Sequence, residues 1–372
     1  MRRIALLLTA VAGLGPMLGC GSEPRPAARS TWQAVALTTD ADFRDVWFTD
    51  PRNGWAVGGG YDIDGGLVGR TRDGGATWTY ASGFVGRWPG VMRFEFTAVQ
   101  FFDSLSGCLL GSGGQIFRTD DGGANWRLAR AGGGEGLTDM HFIDRDNGWA
   151  VGGAGVLRTS DGGEQWGWVT RCTSENGYLS GSAIHFLDRY TGWMSGLGQV
   201  MKTVDGGLTW VRVPLPLGTG EHPRLFDLHF PDPMHGWAVG ENGTIVATRD
   251  GGYTWMRQSN GIPAPAPRPL HIVRRAAGVD TFDLEGPPPG LQLTAVHFID
   301  ASRGWTVGYF PVEGRSVVLR TEDGGDSWRV EGDAPGEQLQ GLFVAGDGSG
   351  WTIGDRVRPG TQVMLRRPPA TL

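Results

Sequence analysis

Cysteine, positive charge and long apolar runs are all scarce in this 372-residue chain. Its cysteines are Cys20, Cys108 and Cys172, and nothing in their spacing demands a disulfide. The 33 basic residues are outnumbered by 39 acidic ones, and the net charge of −6 argues against a nucleic-acid partner. The one long apolar run, Ile4–Leu18, is too short to predict a membrane span.

That apolar run follows Arg2 and Arg3 and ends at Gly19-Cys20, which is typical of a bacterial secretion signal. Met17–Cys20 resembles a lipobox, so residues 1–19 are predicted to be a lipoprotein signal, with Cys20 lipidated. The alternative is an ordinary cleaved signal with an incidental cysteine. Residues 20–31, rich in proline and alanine, are predicted to be a flexible tether. We therefore expect a lipid-anchored protein on the periplasmic or cell-surface side of a bacterial membrane.

Glycine and tryptophan are abundant, with 64 and 16 copies, and both belong to a repeated unit. The stretch Leu137–Trp166 shows the unit: three short β-type runs separated by turn residues, then a closing octet. The octet reads Thr-x-Asp-Gly-Gly-x-x-Trp and occurs six times. Its aspartates are Asp73, Asp121, Asp161, Asp205, Asp250 and Asp323. We expect each carboxylate to accept backbone N–H groups of its own turn, and the glycines to adopt positive φ.

A Gly-Trp step recurs six times, and a seventh copy has changed to Gly107-Cys108, which predicts a small buried apolar residue there. A period of 40–50 residues with strands alone is typical of propeller blades. The sequence therefore predicts an all-β, seven-bladed β-propeller of four-stranded antiparallel blades over residues 32–368. The last unit lacks an outer strand, and Trp32–Leu37 is an outer strand without a blade. Pairing the two would close the ring and remove the free sheet edges.

Four strands per blade place the octets on one face of the ring, which we call the octet face. The long insertions then lie on the opposite, variable face, including a proline-rich one at 261–290. Ten arginines outside the repeat fall in loops assigned to this face: Arg87, Arg93, Arg171, Arg224, Arg268, Arg274, Arg275, Arg315, Arg356 and Arg358. They could read carboxylates of a protein partner, or form an ordinary solvated surface with the acidic residues of the same loops. We expect Arg268, Arg274, Arg275, Arg315 and Arg356 to contribute to partner binding.

Two patterns raise the question of a metal site. One histidine precedes the repeat phenylalanine in each of four units: His141, His185, His229 and His297. Because equivalent positions are a whole blade apart, we expect them not to converge as metal ligands, but to pack separately between blades. The spacing of the octet aspartates fits turn capping better than a calcium loop. No metal and no cofactor are therefore predicted.

The octet resembles the Asp-box, or BNR repeat, of sialidases, sortilin-type receptors and several glycosidases. Sialidases also need an arginine triad, a tyrosine nucleophile and an Arg-Ile-Pro motif, and the motif is absent from the start of this chain. Paired aspartates between two propellers serve in xyloglucan-type glycosidases, whereas this chain has room for one propeller. A carbohydrate-binding or glycosidase-like propeller stays the alternative.

The whole repeat is the more specific guide. Phe-x-Asp-x-x-x-Gly-Trp-x-Val-Gly followed by Arg-Thr-x-Asp-Gly-Gly-x-x-Trp resembles the photosystem II stability/assembly factor family, from Trp32 to about Arg367. The resemblance implies an exported, non-enzymatic propeller that binds a protein partner, which we expect to be membrane-associated. No catalytic residues are therefore expected, and we expect the protein to be a monomer.

Overall fold

The computed structural model describes residues 31–39, 41–59, 66–82, 94–171, 181–262, 273–274, 280–281, 290–335, 337–356 and 364–369. They form seven four-stranded antiparallel sheets arranged as the blades of a propeller, which confirms the predicted fold. A two-stranded hairpin lies inside the proline-rich insertion. One short 3-10 turn, Glu241–Gly243, is the helical element of this described part, so it contains no helix long and apolar enough to cross a membrane.

The strands follow the repeat in chain order, from the channel outward within each blade. Blades 1 to 3 are β2 (Asp42–Phe48), β3 (Gly54–Gly59), β4 (Leu67–Thr71), β5 (Thr79–Ala81); β6 (Phe96–Phe101), β7 (Gly107–Gly111), β8 (Ile116–Thr119), β9 (Arg127–Arg130); β10 (Leu137–Phe142), β11 (Gly148–Gly152), β12 (Gly155–Thr159) and β13 (Gly167–Arg171). Blades 4 and 5 are β14 (Gly181–Phe186), β15 (Gly192–Gly196), β16 (Gln199–Thr203), β17 (Val211–Val213); β18 (Leu225–His229), β19 (Gly236–Gly240), β20 (Ile245–Thr248) and β21 (Met256–Gln258). The hairpin consists of β22 (Val273–Arg274) and β23 (Asp280–Thr281). Blade 6 is β24 (Gln292–Phe298), β25 (Gly304–Phe310), β26 (Arg315–Thr321) and β27 (Arg329–Pro335), and blade 7 begins with β28 (Glu337–Val344), β29 (Gly350–Arg356) and β30 (Met364–Arg367).

The ring closes as the sequence predicts. The first strand, β1 (Gln33–Val35), pairs antiparallel with β30 and becomes the outer strand of blade 7. Gln33 faces Arg366 and Val35 faces Met364 in this ladder. The closure gives the outer edge of β30 a backbone partner, so both chain ends are tied into one sheet.

Adjacent blades are joined by a repeated aromatic contact. The phenylalanine that ends an inner strand stacks on the Gly-Trp tryptophan of the preceding blade, as Phe186 does on Trp149, with ring centroids 3.8 Å apart. The octet tryptophan of its own blade, Trp210, meets the same ring edge-on at 6.0 Å and 84°. Stacked and edge-to-face arrangements are the favourable geometries for such rings. Each phenylalanine of this kind therefore holds two blades together.

The glycine of the Gly-Trp step makes room for that phenylalanine. A Cβ at Gly148 would collide with the ring of Phe142 on the neighbouring inner strand, and the same clash recurs at Gly192 with Phe186. Blade 7 has no phenylalanine at this point, and there the ring of Trp32 lies against Gly350 instead. The strand that closes the ring thus also supplies the missing aromatic side chain.

The Gly-Trp tryptophans also make polar contacts across the blade boundary. In blades 1, 3, 5 and 7 the indole N–H donates to the first glycine carbonyl of the next octet, for example from Trp149 to Gly206 at 2.9 Å. The indole N–H of Trp193 in blade 4 has no such acceptor among the described residues. Trp305 belongs to blade 6, and the next blade, blade 7, has no octet. The indole of Trp305 therefore donates to the Glu331 carboxylate at 2.8 Å. Trp32 donates to the same carboxylate at 3.0 Å. Glu331 thereby replaces the missing turn at the seam of the ring.

In blades 1, 3, 4 and 6 the basic residue before the octet packs on the tryptophan of its own blade. The guanidinium carbons of Arg70 and Arg158 lie 5.5 and 5.2 Å from the ring centroids of Trp55 and Trp149. In blade 2 the tryptophan is replaced by the buried Cys108, and Arg118 there donates to the carbonyl of Gly162 at 2.7 Å. These cations are part of the blade contacts.

The octets form tight turns with an internal hydrogen-bond network. In blade 3, Asp161 accepts from the Gln165 amide at 3.0 Å and from the Thr159 hydroxyl at 2.8 Å. Gly162 and Gly163 have φ of 73° and 86°, which favours glycine at both positions. The Gln165 amide is the largest influence on the pKa of Asp161 and lowers it.

Every inner strand carries a register shift near its start, next to the second strand of the blade. In blade 1 it falls between Phe43 and Asp45, and the same step is shifted in the other six blades. A bulge places two residues opposite one and turns the following side chains. The side chains beyond the bulge line the central channel.

The first prediction concerns the seam. Glu331 is 8% exposed and accepts from Trp32, Trp305, Arg320 and Arg367. Glu331→Ala would leave two indole N–H groups and two guanidinium groups without this acceptor, so we expect about 3 kcal/mol of destabilisation in urea unfolding. Glu322→Ala is the control, because Glu322 contacts the same Arg320 but is half exposed, and should lose less than about 1 kcal/mol. Equal losses from both variants would contradict a special role for Glu331.

The second prediction concerns the octets. Asp161→Ala removes the acceptor of the Gln165 amide and should destabilise the fold by about 1–2 kcal/mol, whereas the exposed neighbour Ser160→Ala should change little. Because the carboxylate pKa is lowered in the fold, its contribution should be present above the ordinary pKa and fade as the pH falls. Addition of a calcium chelator should leave the melting temperature unchanged. A drop of several degrees on chelation would instead indicate a metal site.

Candidate functional site

The arginines predicted to bind a partner are described only in part. Arg315 starts β26 on the variable face, where its Nε donates to Glu313 Oε2 at 2.6 Å. Its guanidinium carbon also lies 4.0 Å from the ring centroid of Phe310. Arg268 and Arg275 lie outside the described residues, and so do the side chains of Arg274 and Arg356.

The structure corrects the placement of several of these arginines. The sequence assigns them to loops, but Arg315 and Arg356 are end residues of β26 and β29, and Arg274 belongs to the hairpin strand β22. Arg171 likewise ends β13. Strands run further toward the variable face than the turn residues indicate, so the backbone of these positions is held by sheet pairing.

One arginine at the mouth of the channel was missed by sequence reasoning. Arg44 is the bulge residue of β2, and it donates to Asp355 and, at 3.2–3.3 Å, to Glu95. Burial raises the pKa of Asp355 to about 6, against the lowering effect of Arg44. These side chains come from blades 7, 1 and 2. No repeat pattern marks Arg44, because the equivalent residues of other blades are mostly Thr, Ser or Gln.

Below this mouth, three carboxylates face the channel. Asp45, Asp139 and Asp227 occupy equivalent positions in blades 1, 3 and 5, just after the bulge. One oxygen of each accepts the amide of the next residue, and the other accepts an amide of the following blade at 2.7–2.9 Å. Burial raises the pKa of all three, to about 6 for Asp45 and about 7 for Asp227. Both oxygens are therefore used to join blades.

The four repeat histidines form the next layer of the channel. His141 Nδ1 accepts the amide of Phe186 at 3.2 Å, and His229 Nδ1 accepts that of Phe298 at 3.3 Å. Each of these histidines thus bonds to the inner strand of the following blade, which is the interblade packing that the sequence predicts. Burial lowers the pKa of the four imidazoles, to about 4 for His141 and His297.

The four imidazoles nevertheless lie closer together than their separation by a whole blade of sequence indicates. Neighbouring rings lie close together, with centroids 4.2 Å apart for His141 and His185, 5.1 Å for His185 and His229, and 4.6 Å for His229 and His297. Inner strands converge on the propeller axis, so a whole blade of sequence separates side chains that are neighbours in space. Within the described part of the chain, no group of three or more His, Cys, Asp or Glu residues could hold a metal ion.

In blade 2 a glutamine takes the histidine position. Gln100 Oε1 accepts the Phe142 amide at 2.8 Å, and its Nε2 donates to the Phe142 carbonyl at 2.9 Å. Trp47 and Phe343 occupy the position in blades 1 and 7. The layer is therefore a set of interblade contacts, and an uncharged side chain can make the same bond to the next amide.

Comparison with known proteins identifies the family. A sequence profile described as "Photosynthesis system II assembly factor YCF48" matches residues 25–133, 130–221 and 216–271. The chain belongs to this family. The photosystem II assembly lipoprotein Ycf48 of Parasynechococcus marenigrum (strain WH8102) is 43% identical over 76 residues, which cover 20% of this chain and 21% of that protein. The chain thus matches about a fifth of the length of this curated relative.

Solved structures extend the likeness in fold to the whole ring. A structure described as "YCF48 bound to D1 peptide" has a TM-score of 0.65 at 18% identity, and the match covers 93% of this chain and 99% of that chain. A GH74 xyloglucanase from Xanthomonas campestris has a TM-score of 0.59 at 14% identity, covering 90% of this chain and 55% of the enzyme. At these identities the structural likeness establishes the propeller fold alone.

The third prediction concerns pH. Since the pKa of His141 falls to about 4 in the fold, its contribution to stability is full above the ordinary pKa of about 6.5 and is lost as the pH falls toward 4. The carboxylates act in the opposite direction, because the raised pKa of Asp227 gives stability that is lost as the pH rises through 7. His141→Gln copies the Gln100 contact and removes one titrating ring. When the pH is lowered from 7 to 4.5, the wild type should therefore lose about 1–3 kcal/mol more unfolding free energy than the variant.

Proposed function

We propose that this chain is a non-enzymatic assembly factor that is anchored by a lipid outside the cytoplasm and binds an extended segment of a membrane-associated protein. The observation that carries the proposal is its membership of the YCF48 family. One similar structure is a YCF48 protein bound to a D1 peptide, and curated relatives are named as lipoproteins. The signal at residues 1–19 and the lipidation of Cys20 belong to this proposal, as does the tether at 20–31.

The variable face is the proposed binding surface. Arg315 and Arg356 end strands at this face, and we assign Arg268, Arg274 and Arg275 of the insertion at 261–290 to it from the sequence. Arg315 illustrates how such a residue would act, because Phe310 and Glu313 hold its guanidinium in one orientation. A partner carboxylate would replace Glu313 and use the same planar donors. The preset orientation reduces the entropy lost on binding.

We propose that no reaction is catalysed. The three channel aspartates use both oxygens on backbone amides, and the octet aspartates are engaged inside their own turns. A glycosidase needs two carboxyl groups that flank a substrate bond. We also propose that the protein acts as a monomer, without a cofactor, metal or nucleic acid. The glycosidase-like alternative rests on the Asp-box repeat and on the fold shared with the xyloglucanase.

The fourth prediction tests the binding face. Arg274→Glu together with Arg275→Glu should weaken capture of the partner from a membrane extract by at least tenfold, without lowering the melting temperature. Arg52→Glu with Arg72→Glu is the matched control, since both residues are exposed on the octet face and the change in charge is the same. Equal capture by wild type and the Arg274→Glu/Arg275→Glu variant would contradict the assignment of partner binding to the variable face. Release of sugar from xyloglucan by the purified protein would overturn the non-enzymatic proposal.

A further inference from the structure

Five of the eleven large apolar side chains that are exposed in the described part of the chain lie on the octet face of blades 4 and 5. The residues are Tyr190, Val204, Leu208, Met234 and Tyr253, with exposures of 64%, 63%, 60%, 50% and 69%. We call this set the apolar patch. Among the described residues, the large exposed apolar side chains in variable-face loops are Leu197 and Val312. The octet face therefore carries the larger apolar surface.

The fold does not require these residues to be apolar. In blade 4, Tyr190 stands at the second position of the first turn, and Val204 and Leu208 stand at two of the three variable octet positions. Blade 3 has Asp146, Ser160 and Glu164 at the same three positions and forms the same four-stranded sheet. An exposed apolar group of this kind is typical of a surface that is covered by something else.

The members of the patch belong to one continuous surface. The amides of Gly206 and Gly251 donate to the carbonyls of Tyr190 and Met234, so each first turn lies beside the octet of its own blade. The octet of blade 5 also lies over blade 4, because the amine of Lys202 is 3.4 Å from the ring centroid of Tyr253. Val204 follows Lys202 by two residues, in the octet of blade 4.

The chain enters the propeller on this same face. Trp32 precedes β1 as the octet tryptophans precede the other outer strands, and its indole lies at the octet end of the ring, against Gly350 and Glu331. Residues 21–31 separate it from Cys20, a span of at most about 40 Å. A lipid on Cys20 would therefore hold the octet face toward the bilayer, with blade 7 nearest to the anchor, blade 4 across the ring and blade 5 two blades away.

We propose that the apolar patch rests in the headgroup region of the bilayer that holds the Cys20 lipid, which gives the ring a second membrane contact. This inference depends on the lipid anchor of the proposed function. The tyrosines suit such a layer, because they combine an apolar ring with a polar hydroxyl. Five side chains bind a bilayer weakly on their own, but the tether makes the contact intramolecular and raises its effective concentration.

The charges around the patch favour a neutral lipid surface. Asp205 and Asp250 are held in their turns by the amides and hydroxyls of Thr209 and Thr254, so they remain at the surface as carboxylates. Arg249, next to Asp250, is paired with Asp326 in the octet of blade 6 at 2.5 Å. The contact is therefore apolar and does not depend on attraction to anionic headgroups. Anchored at two points, the octet face lies along the bilayer and the variable face is turned to the aqueous side.

The fifth prediction tests this contact on the lipid-anchored protein in phosphatidylcholine vesicles. A fluorescent label on Leu208→Cys should be quenched by lipids with nitroxide-labelled acyl chains at least threefold more strongly than the same label on Val312→Cys. Val312 is a suitable control because it is equally apolar and half exposed, but lies on the variable face. Labelled wild type corrects for the native cysteines. Stronger quenching by aqueous iodide than by the lipid nitroxide at position 208 would overturn the inference.

A second variant separates the patch from the fold and the anchor. Tyr190→Asp, Val204→Ser and Leu208→Glu together give blade 4 the residues of blade 3, and should abolish lipid quenching of a label on Met234→Cys while the protein stays on the vesicles. Protection of the Leu208→Cys label from both quenchers, with a doubled mass in detergent, would show that a second copy covers the patch and overturn the inference. Equal membrane association of wild type and Cys20→Ser would overturn the proposed anchor itself. Association that depends on Cys20 without quenching at position 208 would overturn only the patch.

Discussion

The propeller depends on the contact between one phenylalanine and two tryptophans at most blade boundaries. Phe186 shows it: Trp149 of the preceding blade covers its face and Trp210 of its own octet meets its edge. Burying three large rings removes much apolar surface from water, and the ring geometry adds a specific orientation. The glycine before the repeat tryptophan has no side chain because the phenylalanine, or Trp32 in blade 7, fills that space. The regular spacing of phenylalanine, glycine and tryptophan in the repeat thus follows from this contact.

The blades, their number and the closure of the ring could be predicted from the sequence, because the residues that form the turns and the blade contacts recur at fixed positions in the repeat. The octets fix the turns, and Trp32 without an octet identifies the strand that closes the ring. The channel could not be predicted in the same way. The inner-strand bulge has no sequence signature, since residues as different as Arg44, Ser182 and Phe226 occupy it. A prediction from simple strand alternation that leaves out the bulge would choose the wrong side chains as those that face the axis.

The same limit explains the histidines and the arginines. Sequence separation did not indicate how close His141 and His185 lie, because convergence at the axis is a property of the closed ring and not of one blade. Arg44 was missed for a related reason: its partners, Glu95 and Asp355, are brought to it by two blade junctions, one of which joins the two ends of the chain. The variable-face arginines depend on insertions that no repeat describes. A candidate site built from such insertions can be located on a face, but its geometry cannot be derived from periodicity.

The alternation of aspartates in the channel has a consequence for how the chain can assemble. Aspartate in blades 1, 3 and 5 bonds to an inner strand of blades 2, 4 and 6 that carries alanine at the equivalent position. Seven is an odd number, so this two-blade rhythm cannot run round the ring without a break. The break falls at blade 7, where Gly341 takes the position and a Cβ would meet the backbone of Asp45. The aspartates therefore bond across three of the seven blade boundaries, and the boundary between blades 7 and 1, where the two ends of the chain meet, is held without such a bond.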